Sequence, residues 1–203
     1  MGTHQIGPYT RASSAARPGP NADDLLRAAD LIALAKRPLL ITGGGCYLSD
    51  AGNAVAELSE RFGIPIQTTP AGRSSVAETN PLFCGVVGLY RTSFPRQVYE
   101  AADLIVTVGS RMEEFQGGFL DPGAPKSVIQ IEIDDFEIGR NWIPEVAIQS
   151  DARLAIEALT GVLMDRGLPR FDAWAHEVSE GRALAIAGAR ADVEASMASN
   201  TMP

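Results

Sequence analysis

Residues 39–45 read Leu39-Leu40-Ile41-Thr42-Gly43-Gly44-Gly45, an apolar run that passes without a break into three glycines. So short a run, bounded by Pro38 and glycine, reads as a strand buried on both faces. Glycines at the end of such a strand let the backbone approach a neighbour or a ligand closely, because no Cβ intervenes. Upstream, Asn21 suits a helix N-cap, with Asp23 and Asp24 in the first turn, where the helix dipole favours acids. Leu25, Leu26, Ala29, Ile32 and Ala33 recur at helical spacing until Lys36-Arg37-Pro38 closes the segment. Downstream, Ser49 is expected to cap a helix with Ala51, Ala54, Val55, Leu58 and Phe62 on its inner face, ended by Gly63.

The alternation continues. Ile64–Thr69 and the stretch around Cys84–Val87 read as strands, and Pro95 suits the first turn of a helix running to about Ala102. Leu104–Val108 is a continuous apolar run ended by Gly109. Val128–Ile133 and Val146–Gln149 give two more strands. Asp151 then opens a helix with Leu154, Ile156, Leu159 and Leu163 on one side. The expected fold is α/β, an open, mainly parallel six-stranded sheet with helices on both faces. Residues 1–20 are polar and rich in Pro, Gly and Ser, and read as a flexible linker or a cloning remnant. Residues 21–166 form the domain, and 167–203 a C-terminal helix (Phe171–Ala191, carrying Trp174) with a polar tail from Ser196.

A net charge of −8, from 17 basic and 25 acidic residues, gives no broad cationic surface for nucleic acid. No apolar run approaches the ~20 residues that span a bilayer, so no membrane partner is expected. Two cysteines far apart form no CxxC pair or disulfide framework, and fit a reducing, cytoplasmic setting. His4 and His176 lie in opposite flanks, so no metal site is expected. No G-x-S-x-G elbow occurs, and neither cysteine has a histidine nearby; no residue is assigned a catalytic role.

Candidate binding residues sit where strands end, the edge at which open α/β sheets hold ligands. Gly43-Gly44-Gly45 is neither a GxGxxG fingerprint nor a Walker loop, and reads either as a ligand-facing loop or as a tight strand-to-helix turn. Arg111, just beyond Gly109-Ser110, either clamps a phosphate with its planar fork or pairs with Glu113 or Glu114 at the surface. Glu132, beside Ile133, either accepts ribose hydroxyls or lies on the polar face of an edge strand. Thr68, Thr69, Gly88 and Asp151 also fall at strand ends, with both kinds of role open. Cys46 could gain thiolate character at a helix start, but a small packing side chain is the favoured reading.

The ordered set of segments resembles the central domain of thiamine-diphosphate enzymes such as acetolactate synthase, benzoylformate decarboxylase and oxalyl-CoA decarboxylase. The resemblance runs from Asn21 to Leu163. It rests on 35–45 (AKRPLLITGGG), 63–69 (GIPIQTT), Asn80-Pro81, 85–88 (GVVG), 102–111 (ADLIVTVGSR), 131–134 (IEID), Glu137-Ile138-Gly139 and Ser150-Asp151. The triple glycine points to the acetolactate synthase-like members. The sequence departs from the family at Gly72-Arg73-Ser74, where Gly-Lys-Gly is commoner, and at Ser150, where Gly-Asp is.

The resemblance implies a parent that decarboxylates or condenses 2-oxo acids as a homodimer or homotetramer. Its thiamine diphosphate and Mg²⁺ would be held by separate pyrimidine- and diphosphate-binding domains. The sequence contains no Gly-Asp-Gly, so the chain is expected to be a segment of a longer polypeptide, inactive alone. Central domains of this family hold FAD, ADP or nothing. The positions implied here are Gly43, Gly44, Gly45, Gly109, Arg111, Glu132, Ile133 and Asp151. Two other readings stand beside it. One is an autonomous NAD or FAD binder similar to sirtuins or the flavin domain of electron-transfer flavoproteins; the other is a ligand-free interaction module. The sirtuin version needs a core histidine, which this sequence lacks.

Overall fold

The computed structural model describes residues 17–113 and 127–198. Helix α1 (Ala22–Leu34) starts as the sequence leads one to expect, with the Asn21 side chain accepting from the Asp23 N–H at 2.8 Å. Its buried stripe is Leu25, Ala28, Ala29 and Ile32; Leu26 is 42% exposed and Ala33 is also exposed. Both belong to the set read at helical spacing in the sequence. The i, i+3, i+4, i+7 set that includes Ala28 is the one that faces the sheet.

Strand β1 (Pro38–Thr42) is buried at every position. Its start is fixed from outside the strand: the Asp103 carboxylate accepts the Lys36 and Arg37 backbone N–H groups at 2.8 and 2.9 Å. Helices α2 (Gly44–Leu48) and α3 (Gly52–Phe62) follow, then β2 (Ile66–Thr68) and β3 (Phe83–Val86). Ser49 does not cap α3. It closes α2, while Ala51 precedes α3, because the unanticipated turn of helix pushes the start of α3 onward. Helix α4 (Ser93–Ala101), β4 (Leu104–Val108), β5 (Ser127–Glu132), β6 (Val146–Gln149) and α5 (Ala152–Asp165) complete the alternation.

The strands lie in the order β3-β2-β1-β4-β5-β6, and every neighbouring pair is parallel. This is the doubly wound order in which the chain reverses its direction of travel between β1 and β4, opening a crevice at their carboxyl ends. Strand residues alternate between two cores. Leu40, Val106, Val108, Ile129, Ile131 and Ile148 pack against α1, α3 and α5. Leu39, Ile41 and Ile105 pack under α4 and under the last helix, α6 (Asp172–Ala198).

Helix α6 is anchored by Trp174, whose indole N–H donates to the Pro38 carbonyl at 3.0 Å while the Arg37 guanidinium lies over its ring at 5.2 Å. Trp174, 4% exposed, is thus a packing residue. A Cβ at Gly181 would lie 2.5 Å from the Phe94 ring, so this glycine lets α4 and α6 come together. The helix continues past Ala191 to Ala198, because its Ala, Glu and Met residues all favour helix. Among the described residues no helix is long and apolar enough to cross a membrane.

Candidate functional site

The loops after β1 and β4 meet at the reversal point. The Gly43 N–H donates to the Val108 carbonyl and the Gly45 N–H to the Gly109 carbonyl, each at 2.9 Å. A Cβ at Gly43 would stand 2.2 Å from the Gly109 oxygen, and one at Gly45 would stand 2.8 Å from its Cα. Gly109 holds φ +60, a left-handed value that favours glycine, and its missing Cβ would lie 2.5 Å from the Cys46 nitrogen. A Cβ at Gly44 would meet only Ala71, at 3.6 Å. Gly43, Gly45 and Gly109 are therefore required by loop-to-loop contact itself.

Beside this contact opens a cleft of about 280 Å³, walled by Gly45, Gly109, Glu132, Ile133, Asp151 and, ahead of α1, Arg17. Ser49, Ser150, Leu48 and Ala152 complete it. Glu132 is the last residue of β5. One oxygen accepts the Ile133 and Asp134 N–H groups at 2.8 and 3.3 Å, and its other oxygen has no partner among the described residues. Asp151 caps α5, accepting from the Arg153 and Leu154 N–H groups at 3.1 and 3.2 Å. It also accepts the Ser49 hydroxyl at 2.7 Å and an Arg17 N–H at 3.0 Å. Burial pushes the Asp151 carboxyl upward, but the Ser49 and Leu154 hydrogen bonds, the Arg17 charge and the Arg153 N–H outweigh it and hold it below the ordinary value of 3.8.

The other expected residues lie elsewhere along the same edge. Thr68 ends β2 and Thr69 follows it: the Thr69 hydroxyl accepts the Gly72 N–H at 3.0 Å, and the Thr68 hydroxyl is buried without a partner among the described residues. Gly88, at φ +84, begins a 3-10 turn after β3. These three stand on the far side of β1 from the cleft. Arg111 pairs with Glu113 and lies 3.7 Å from Glu137, and it does not line the cleft. Cys46 is buried, and burial pushes its thiol up to about 11 against a lowering hydrogen bond with Ser75. Cys84, also buried, is pushed up to about 12 for the same reason. Neither is a thiolate near neutrality. Arg17, Leu48, Ser49 and Ser150 were not anticipated; Ser150 alone carried a signal, as the neighbour of Asp151.

Among the described residues no group of three His, Cys, Asp or Glu side chains could hold a metal ion. With no Gly-Asp-Gly either, the residues present do not fit the Mg²⁺–diphosphate end of thiamine diphosphate. Among the described residues the cleft offers instead the Glu132 carboxylate, the Arg17 guanidinium and close-packed glycine loops.

Comparison with known proteins places this arrangement. The acetolactate synthase large subunit of Cyanidium caldarium is 32% identical over 166 residues, covering 79% of this chain and 28% of that protein. The large subunit of Parasynechococcus marenigrum is 34% identical, covering 80% and 27%. A solved structure of a Mycobacterium smegmatis protein described as thiamin diphosphate-dependent superposes with a TM-score of 0.62 at 26% identity, over 78% of this chain and 31% of that one. The chain thus spans under a third of the length of these relatives. The family described as the thiamine pyrophosphate enzyme central domain matches residues 25–159, more than half of the sequence. The chain belongs to that family of central domains.

Proposed function

We propose that this chain is the nucleotide-holding central part of an acetolactate synthase-like, thiamine-diphosphate-dependent transferase or lyase, and that its cleft takes the adenosine diphosphate moiety of ADP or FAD. The observation that carries the reading is Glu132. It ends β5 with one oxygen held by the backbone just after it and the other without a partner among the described residues, in a cleft that it lines together with Gly45 and Gly109. A ribose hydroxyl is the donor that such a lone acceptor at a strand end suits. The cleft, about 280 Å³, falls just short of the roughly 300 Å³ at which ligand-site volumes begin, so the proposed occupant is the nucleotide moiety and not a whole FAD.

Catalysis is assigned to other domains. Thiamine diphosphate and Mg²⁺ would supply carbanion chemistry on 2-oxo acids from the pyrimidine- and diphosphate-binding domains of a cytoplasmic homodimer or homotetramer. In this chain Gly43, Gly44, Gly45, Gly109, Glu132, Ile133 and Asp151 shape the nucleotide cleft, with Thr68, Thr69, Gly88 and Arg111 along the flanking edge. By itself the chain turns over no 2-oxo acid. Calorimetric titration with ADP should show saturable binding, weakened roughly 10-fold in Glu132→Ala by loss of one charge-assisted hydrogen bond. No heat from ADP or FAD at millimolar concentration would overturn the assignment.

A further inference from the structure

Arg17 and Pro18 lie ahead of α1 and outside the stretch shared with the family, residues 25–159. They are nevertheless tied to the cleft. The Pro18 carbonyl accepts the Asp151 N–H at 2.8 Å and the Ser150 hydroxyl at 3.0 Å. Arg17 Nη1 donates to the Ser49 carbonyl and to Asp151 Oδ2, each at 3.0 Å. This strap joins the α2–α3 junction to the start of α5, segments distant in sequence.

Among the described residues that line the cleft, Arg17 is the one cation, and Glu132 and Asp151 are the acids. Among the described residues every polar contact of its guanidinium runs through Nη1, which leaves Nη2 and Nε available, and the side chain is 46% exposed. A guanidinium is a planar fork with five donors. One edge can hold Asp151 while the other receives two phosphate oxygens, with no existing bond broken. An unpaired diphosphate beside Glu132 would otherwise meet only like charge.

Resting on the nucleotide reading above, we propose that Arg17 anchors the diphosphate of the bound nucleotide, and that occupancy of the cleft in turn fastens the 17–18 strap. The coupling is reciprocal by linkage: a strap held down binds nucleotide more tightly, and bound nucleotide holds the strap down. The cleft is thereby completed by a segment ahead of residues 25–159, the stretch matched to the family.

The test compares ADP with adenosine on the full chain and its variants by calorimetry, with amide exchange read at Asp151, whose N–H the strap covers. The wild type should prefer ADP over adenosine by roughly 10-fold, the worth of charge-assisted contacts to one guanidinium. Arg17→Ala should lose that preference while keeping its adenosine affinity, and Arg17→Lys should retain part of it. ADP should slow exchange of the Asp151 amide in the wild type and not in Arg17→Ala. If Arg17→Ala does not fold, Arg17→Gln, which keeps a donor for Asp151, must lose the preference likewise. An unchanged preference in a folded Arg17 variant would sink the strap proposal alone. A wild type that binds neither ADP nor adenosine would remove it together with the nucleotide reading.

Discussion

Gly109→Ala should destabilise the chain by about 3–5 kcal/mol, the sum of left-handed backbone strain and overpacking. The new methyl group would sit 2.5 Å from the Cys46 nitrogen and 2.6 Å from the Gly45 carbonyl carbon, both backbone atoms that cannot swing aside. At φ +60 the substituted residue would also hold a conformation that L side chains resist. For a chain of this length the loss corresponds to a fall of about 10 °C in Tm, followed by circular dichroism. Gly44→Ala is the internal control. Its methyl group would find Ala71 at 3.6 Å, an ordinary contact, and alanine favours helix, so its Tm should move by no more than about 3 °C. Equal losses at the two sites would show that the glycine loop is not held by its contact with the β4 loop.

Asp151→Ala should cost about 3 kcal/mol. It removes the N-cap of α5, worth about 1 kcal/mol, and strands the donors of Arg17 and Ser49 in a site where the residue itself is 3% exposed. The same carboxylate predicts an acid dependence. Its folded-state pKa lies below the ordinary 3.8, so protonation favours the unfolded chain. The stabilisation it provides is complete above pH 4 and disappears as pH falls through the folded value. Asp151→Asn should therefore show a shallower loss of denaturation midpoint between pH 5 and pH 2 than the wild type. Parallel curves would mean that Asp151 is not the group that titrates.

The strands and their carboxyl ends were legible because buried parallel strands write themselves as apolar runs closed by glycine, as at Leu104–Val108 and Gly109. Their alternation with helices led to a parallel sheet covered on both faces, but the strand order, and with it the reversal point, came only with the structure. What the glycines were for did not follow. Gly43 and Gly109 are far apart in sequence, and only the sheet order brings the β1 and β4 loops into contact. Helix α2 was missed because two of its five residues are glycine, a poor helix former; the hydrogen bond from Gly45 to Gly109 holds it. Ser49 was consequently read as a cap when its hydroxyl serves Asp151. Arg17 was hidden in a Pro/Gly/Ser-rich stretch whose composition predicts a free linker, although tertiary hydrogen bonds fix residues 17 and 18. Residues 1–16, Glu114 and the tail after Ala198 lie outside the described residues.

The most direct measurement is an amide chemical-shift map of the chain titrated with ADP. Nucleotide binding at the β1–β4 reversal should move the Gly45, Gly109, Ile133 and Asp151 resonances together, with one apparent Kd. Perturbations confined to the groove between α4 and α6, around Phe94 and Leu184, would contradict it.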